Sequence, residues 1–176
     1  QTTTVGLSTS AYGLLYNYNG STAFTNVDIV NNEYADFNRL YGAVGYRSYG
    51  GDITLTNTNV SGSVATNVDE TYASWIYASY SQDSGYGAVV INYSNLYDNW
   101  AATVHGYDFY DDGEEGDLSG FLGLQEADPM FTDASAGDYS LATGSTLIDA
   151  GDPSILDADG TTSDIGALGG PHGGSW

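Results

Sequence analysis

The chain contains no cysteine and no lysine, and it has only two arginines, Arg39 and Arg47. Without cysteine there is no disulfide to staple the fold and no thiolate to hold zinc or an iron–sulfur cluster. An extracellular protein of this kind takes its rigidity from packing or from calcium, which is abundant outside cells. No apolar run reaches the length that spans a bilayer, so direct membrane insertion is not expected. Two arginines against 23 acidic residues leave a formal net charge of −21. Such a polyanion repels nucleic acid, anionic lipid and acidic polysaccharide, each of which needs a cationic surface. Its ionic partners are metal cations or basic surfaces. The same charge also reads as a solvated acidic shell, or as adaptation to saline water that screens self-repulsion.

What is present suits sheets and turns. The 24 glycines, the many Thr, Ser and Asn residues, and an aromatic content of 14% supply turns and a core but little helix. The length of 176 residues fits one domain or one end of a longer solenoid. A start at Gln1 rather than Met points to processing, an upstream domain or missing residues at that end.

An imperfect echo runs through the first hundred residues. Three segments open with Tyr-Gly, at Tyr12, Tyr41 and Tyr86, 29 and 45 residues apart. Each continues into a short apolar run, a spacing compatible with stacked passages carrying loops of different length. Within them the runs alternate with period two, Thr54, Thr56 and Thr58 against Ile53, Leu55 and Asn57. Asn26, Asn57 and Asn92 fall at similar places, 31 and 35 residues apart. They read either as a stacked asparagine ladder or as ordinary turn residues.

Two further stretches stand out. The aromatic segment with Trp75, Tyr77 and Tyr80 is a candidate contact surface for glycan or protein, or else a cover for the flank of the sheets. The acidic run Asp108, Asp111, Asp112, Glu114, Glu115 and Asp117 contains two glycines and reads as a loop rather than a strand, either solvated or ordered by a cation.

The segment ADPMFTDASAGDYSLATGSTLIDAGDPSILDADGTTSDIGALGG, residues 127–170, carries a chain of motifs. These are Asp128-Pro129-x-Phe131, then Gly137-Asp138-Tyr139-x-Leu141, then Gly144-Ser145-x-x-Ile148-Asp149-Ala150-Gly151. Asp157-x-Asp159-Gly160 and Asp164-x-Gly166-Ala167-x-Gly169-Gly170 complete it. In this order they resemble the closing coils of right-handed parallel β-helix repeat proteins of the pectin-lyase-like superfamily, found in secreted and surface-anchored bacterial proteins. The resemblance covers about a quarter of the chain. It implies an all-β fold, a right-handed parallel β-helix (solenoid) with irregular lateral loops over residues 1–170, standing alone or ending a longer chain, and a tail or linker at 171–176. The open edge of the last coil is then expected to need a cap.

The four carboxylates Asp152, Asp157, Asp159 and Asp164 crowd together with no cation to balance them. Asp157-x-Asp159-Gly160-x-x-x-Asp164 resembles the front half of a calcium loop, with Leu168 where an EF-hand needs its final acid. Calcium takes about six to eight oxygens; Asp157, Asp159, Asp164, a carbonyl near Thr161 and Asp152 are the expected ligands, with Asp149 or Thr162 as further candidates. A metal-free set of Asx turns is the competing reading.

Catalysis has little to stand on. A uronate lyase needs a cationic clamp and a strong base, for which only Arg39 and Arg47 offer themselves. A glycoside hydrolase needs two carboxylates roughly 5 to 9 Å apart, which the run 108–117 could supply. His105 and His172 make no metal cluster. The expected role is a calcium-stabilised structural or adhesive segment at the cell surface or outside the cell, with glycan or protein partners or self-assembly. A carbohydrate-binding module or a polysaccharide-degrading hydrolase is the alternative. Sequons at Asn19, Asn59 and Asn92 are possible glycan acceptors.

Overall fold

The computed structural model describes residues 11–12, 15–18, 20–35, 40–41, 45–48, 52–66, 76–78, 89–101, 110–111, 114–115 and 121–174. Among them the chain is strand and turn, with a single three-residue 3-10 turn at Ala134–Ala136. No helix there is long and apolar enough to cross a membrane. A first passage of chain lays down β1 (Ala11–Tyr12), β2 (Leu15–Tyr18), β3 (Thr22–Thr25), β4 (Asp28–Val30) and β5 (Glu33–Ala35). A second lays down β6 (Leu40–Tyr41), β7 (Gly45–Ser48), β8 (Ile53–Thr56), β9 (Asn59–Ser61) and β10 (Val64–Thr66). A third contains β11 (Ile76–Ala78), β12 (Val89–Asn92), β13 (Asn95–Tyr97) and β14 (Trp100–Ala101). Then follow β15 (Tyr110–Asp111), β16 (Glu114–Glu115), β17 (Phe131–Asp133) and β18 (Asp138–Leu141).

Equivalent strands of successive passages pair in parallel, giving the orders β12-β8-β3, β13-β9-β4 and β14-β10-β5, with β15-β11-β7-β2 in a fourth sheet. The fold is therefore all-β and rich in parallel sheet. The Tyr-Gly echo is partly a register signal, since Tyr12 and Tyr41 are direct partners. The acidic run departs from the loop expected of it: Tyr110–Asp111 lies parallel to Tyr77–Ala78 and pairs antiparallel with Glu114–Glu115.

The core follows from the alternation. In β8, Ile53 and Leu55 are fully buried while Thr54 and Thr56 are half-buried on the other face. Register stacks Phe24, Leu55 and Ile91 in one column and Ile29, Val60 and Leu96 in another. Burying each such aliphatic side chain stabilises by about 1.5–3 kcal/mol. These columns, with Val27, Phe121 and Leu124 against them, form the main hydrophobic cluster.

Between the strands the chain bends through left-handed residues in two stacked columns. One is Asn26 (φ 54°), Asn57 (φ 49°) and Tyr93 (φ 48°); the other is Asn31 (φ 53°), Gly62 (φ 65°) and Asp98 (φ 50°). Asn and Gly suit this region; Tyr is unusual there. Gly62 has a second reason, because a Cβ would stand 2.5 Å from Asn31 Oδ1.

Residues 121–127 begin a fourth, abbreviated pass. Gln125 bridges Asn95 in parallel, and the backbone bonds Gln125 N to Ser94 O and Leu96 N to Gln125 O secure it. The β17–β18 hairpin follows, with Phe131 and Tyr139 packed edge to face at 5.2 Å. From Ala142 to Gly174 the described chain is a succession of turns.

Candidate functional site

The acidic segment does not simply cover the last strands. It runs back along the bend between β3 and β4 and between β8 and β9, from the second passage to the first. Leu147 and Ile165, both fully buried, anchor it and are joined by Ile165 N to Leu147 O at 3.0 Å. Gly151 N donates to Ser163 O at 2.7 Å and Ser163 N to Ile155 O at 3.0 Å, closing a loop whose tip is Gly160. Against the second passage, the Asp152 amide donates to Asn57 Oδ1 at 2.6 Å and Gly166 N to Asn57 O at 2.9 Å. Against the first, Ala167 N donates to Asp28 Oδ2 at 3.0 Å and Asn26 Nδ2 to Ser163 Oγ at 3.4 Å. The approach is close enough to demand glycine: a Cβ on Gly170 would lie 2.0 Å from Asn26 Nδ2, and one on Gly151 2.9 Å from the Asn57 amide.

Asp28 ends an amide ladder of which the sequence shows only the residue types. Asn95 Nδ2 donates to Asn59 Oδ1, and Asn59 Nδ2 to Asp28 Oδ1, each at 2.9 Å. Asn95 also brackets Ala127 through its N–H and its carbonyl. A ladder therefore exists, but at the first residues of β4, β9 and β13 rather than at the bend. The expected third bend residue, Asn92, is instead the last of β12 opposite Thr56, where its Oδ1 accepts from Leu122 N at 3.1 Å. The bend position itself belongs to Tyr93.

The expected metal ligands are engaged by the chain. Asp152 Oδ1 accepts from the amide and hydroxyl of Ser154, at 2.8 and 2.7 Å. Asp159 Oδ1 accepts from the amide and hydroxyl of Thr161, at 3.0 and 2.7 Å, and the Thr161 carbonyl accepts from Asp157 N at 2.9 Å. Asp157 takes the amides of Gly170 and Asp164 on its two oxygens, and Asp164 Oδ1 takes the amide of Asp149 at 2.8 Å. These are Asx turns and cross-loop bonds. Among the described residues no group of three or more His, Asp or Glu side chains is arranged to hold a metal ion.

The electrostatics of these carboxylates differ. Burial pushes Asp28 above the ordinary aspartate range, against the pull of the Ala167 N–H and the Asn59 amide. Asp164 is also raised, first by partial burial; repulsion from Asp157, Asp149 and Asp159 adds to this, while the Asp149 N–H opposes it. Exposed Asp159 is lowered by the backbone N–H of Thr161 and then by its hydroxyl.

Other candidates fall differently. Trp75 and Tyr80 lie outside the described residues, as do Asn19, Arg39, His105, Asp108, Asp112 and Asp117; Tyr77 is described only as a backbone position in β11. Asn59 is fully buried in the ladder, which removes its sequon as an acceptor in the folded chain. Exposed His172 lines a recess of about 430 Å³ with Pro171, Ile155, Thr25 and Asn26. The sequence signals for Asp28, Asn57, Asn59 and Asn95 were weak because each depends on a partner in another passage. No protein-family description, curated protein or solved structure matches this chain.

Proposed function

We propose that the passages wind as a right-handed parallel β-helix, of the kind the closing motifs resemble, and that the chain is a structural or adhesive segment of an extracellular surface. One observation carries this reading. The same succession of strands recurs in parallel at separations of 31 and then 36 residues in three sheets, and two of these stack one core side chain per passage. A stack of that kind grows by adding passages and serves as a rigid spacer. Asp157 and Asp164 of the closing segment support a holding role, since they accept backbone amides 7 to 15 positions away. Calcium belongs to this proposal as a stabiliser of the closed segment: a divalent ion near Asp149, Asp157, Asp159 and Asp164 would offset their repulsion, although it is not needed to satisfy their hydrogen bonds.

The test combines small-angle scattering and sedimentation of the chain, in 0.15 M salt with and without millimolar calcium, with incubation on neutral polysaccharides. An elongated particle that self-associates or adheres to a surface, and that releases no reducing ends, supports the scaffold. Release of reducing ends overturns it in favour of a hydrolase. Saturable binding of a soluble glycan without assembly overturns it in favour of a carbohydrate-binding module.

A further inference from the structure

The first passage stands at one end of the stack. Its strands β3, β4 and β5 pair on one edge only, with β8, β9 and β10, and no described strand pairs with their outer edges. Stacked passages are held by their neighbours, so an end passage with a single neighbour is ordinarily the first to open. Here it has a second attachment. The closing segment starts beside the fourth pass, where the Gln125 side chain and Thr146 share two hydrogen bonds of 3.1 and 3.3 Å. It reaches the second passage through Asp152 and Gly166. It then meets the first, Ala167 N bonding to Asp28 and Asn26 to Ser163, across 139 and 137 positions of sequence. The seat is tight, since a Cβ on Gly166 would stand 2.8 Å from Asp28 Oδ1. Leu147 and Ile165 are fully buried yet outside the main hydrophobic cluster, so the segment has an anchor of its own.

We propose that the closing segment is a latch that makes itself and the first passage one cooperative unit, so that the two open together while the third passage stays closed. The first passage cannot leave the second without breaking the bonds from Asp28 and Asn26 to the segment. Lifting the segment in turn strips those groups of their partners and leaves the first passage with one neighbour. Each therefore raises the cost of opening the other, and a coupling of this kind is reciprocal. No described residue of the segment bonds to the strands of the third passage except through Gln125 and Ala127 of the fourth, which is why that passage is not drawn in. The device is conformational and does not depend on what the surface binds.

Native-state hydrogen exchange of the full chain, followed by NMR, tests the coupling from both sides. Leu147→Val loosens the segment, and Ile29→Val loosens the first passage within the main cluster. In Leu147→Val the amides of Gly151 and Ser163 are expected to exchange about three- to tenfold faster, the effect of one buried methylene. The amides of Asn26 and Asn31, which donate to Thr56 and Ser61 of the second passage, are expected to speed up by the same factor. Those of Asn95 and Leu96 in the third passage are expected to stay unchanged. Ile29→Val should accelerate Gly151 and Ser163 along with Asn26 and Asn31, again sparing Asn95 and Leu96. Acceleration confined to the substituted element would overturn the latch, because the segment and the passage then open separately. Equal acceleration at Asn95 and Leu96 would also overturn it, since only the whole chain then opens, and so would unchanged exchange at Gly151 and Ser163 in Leu147→Val. The two variants test the same link in opposite directions, so either one decides it if the other fails to fold.

Discussion

Replacing Asp28 by alanine removes a side chain that joins the amide ladder to the returning acidic segment. Its two oxygens accept from Asn59 Nδ2 at 2.9 Å and Ala167 N at 3.0 Å, and the bond to Ala167 spans 139 positions of sequence. Each donor left without a partner in a half-buried site costs about 1–3 kcal/mol. Some of this is returned, because an ionised group no longer loses its hydration. A net loss of about 2–4 kcal/mol follows, or roughly 5–15 °C in Tm for a chain of this length. Asp28→Asn keeps an acceptor for Asn59 but turns an NH₂ toward the Ala167 amide, so it is expected to lose about half as much. Urea titration measures both without adding salt that would screen the charges.

The pH dependence supplies the second arm of this test. The folded pKa of Asp28 lies above its unfolded one, so the native state holds the proton longer. Stability from this group is fully present below the ordinary aspartate pKa and is lost as pH rises through the folded value. Both variants remove that component. Asp164 moves in the same direction, whereas Asp133, Asp138 and Asp159 are lowered and act oppositely, so the reading is the difference between variant and wild type. An Asp28→Ala midpoint within about 0.5 kcal/mol of wild type would refute the latch role of this side chain, since that is the scatter of ordinary surface substitutions.

Three more outcomes are expected. Leu55→Ala, in the column between Phe24 and Ile91, should lose about 2–5 kcal/mol in the same urea titration, and a loss below 1 kcal/mol would mean the columns do not form the core. Gly170→Ala and Gly137→Ala meet the same left-handed backbone, at φ 83° and 84°, but only at Gly170 does a Cβ strike a neighbour. The Gly137 variant should lose about 1 kcal/mol and the Gly170 variant clearly more, with equal losses counting against the close approach to Asn26. Calcium at about ten times its Kd should add about 1.4 kcal/mol, or roughly 3–6 °C in calorimetry against chelator, and Asp164→Asn should abolish the gain; equal melting in calcium and chelator removes calcium from the proposal.

The local chemistry of this protein was legible in its sequence. Period-two alternation marks Ile53 and Leu55 as core, the lack of helix follows from composition, and Asp-x-Ser or Asp-x-Thr at Asp152 and Asp159 closes turns within two residues. Such features depend on neighbours along the chain, so a linear reading reaches them. Register was decided elsewhere. Five extra residues between β11 and β12 lengthen the repeat from 31, as it still is from β7 to β11, to 36, which puts Tyr93 at the bend and leaves Asn92 inside a strand, one position from where spacing had placed it. The carboxylates of the closing segment turn onto amides of their own loop and of residues up to 15 positions away, pairings that spacing along the chain does not show. Tertiary structure alone brought Asp28 to Ala167 and Asn57 to Asp152, because these bonds join polar groups that only stacking removes from water together.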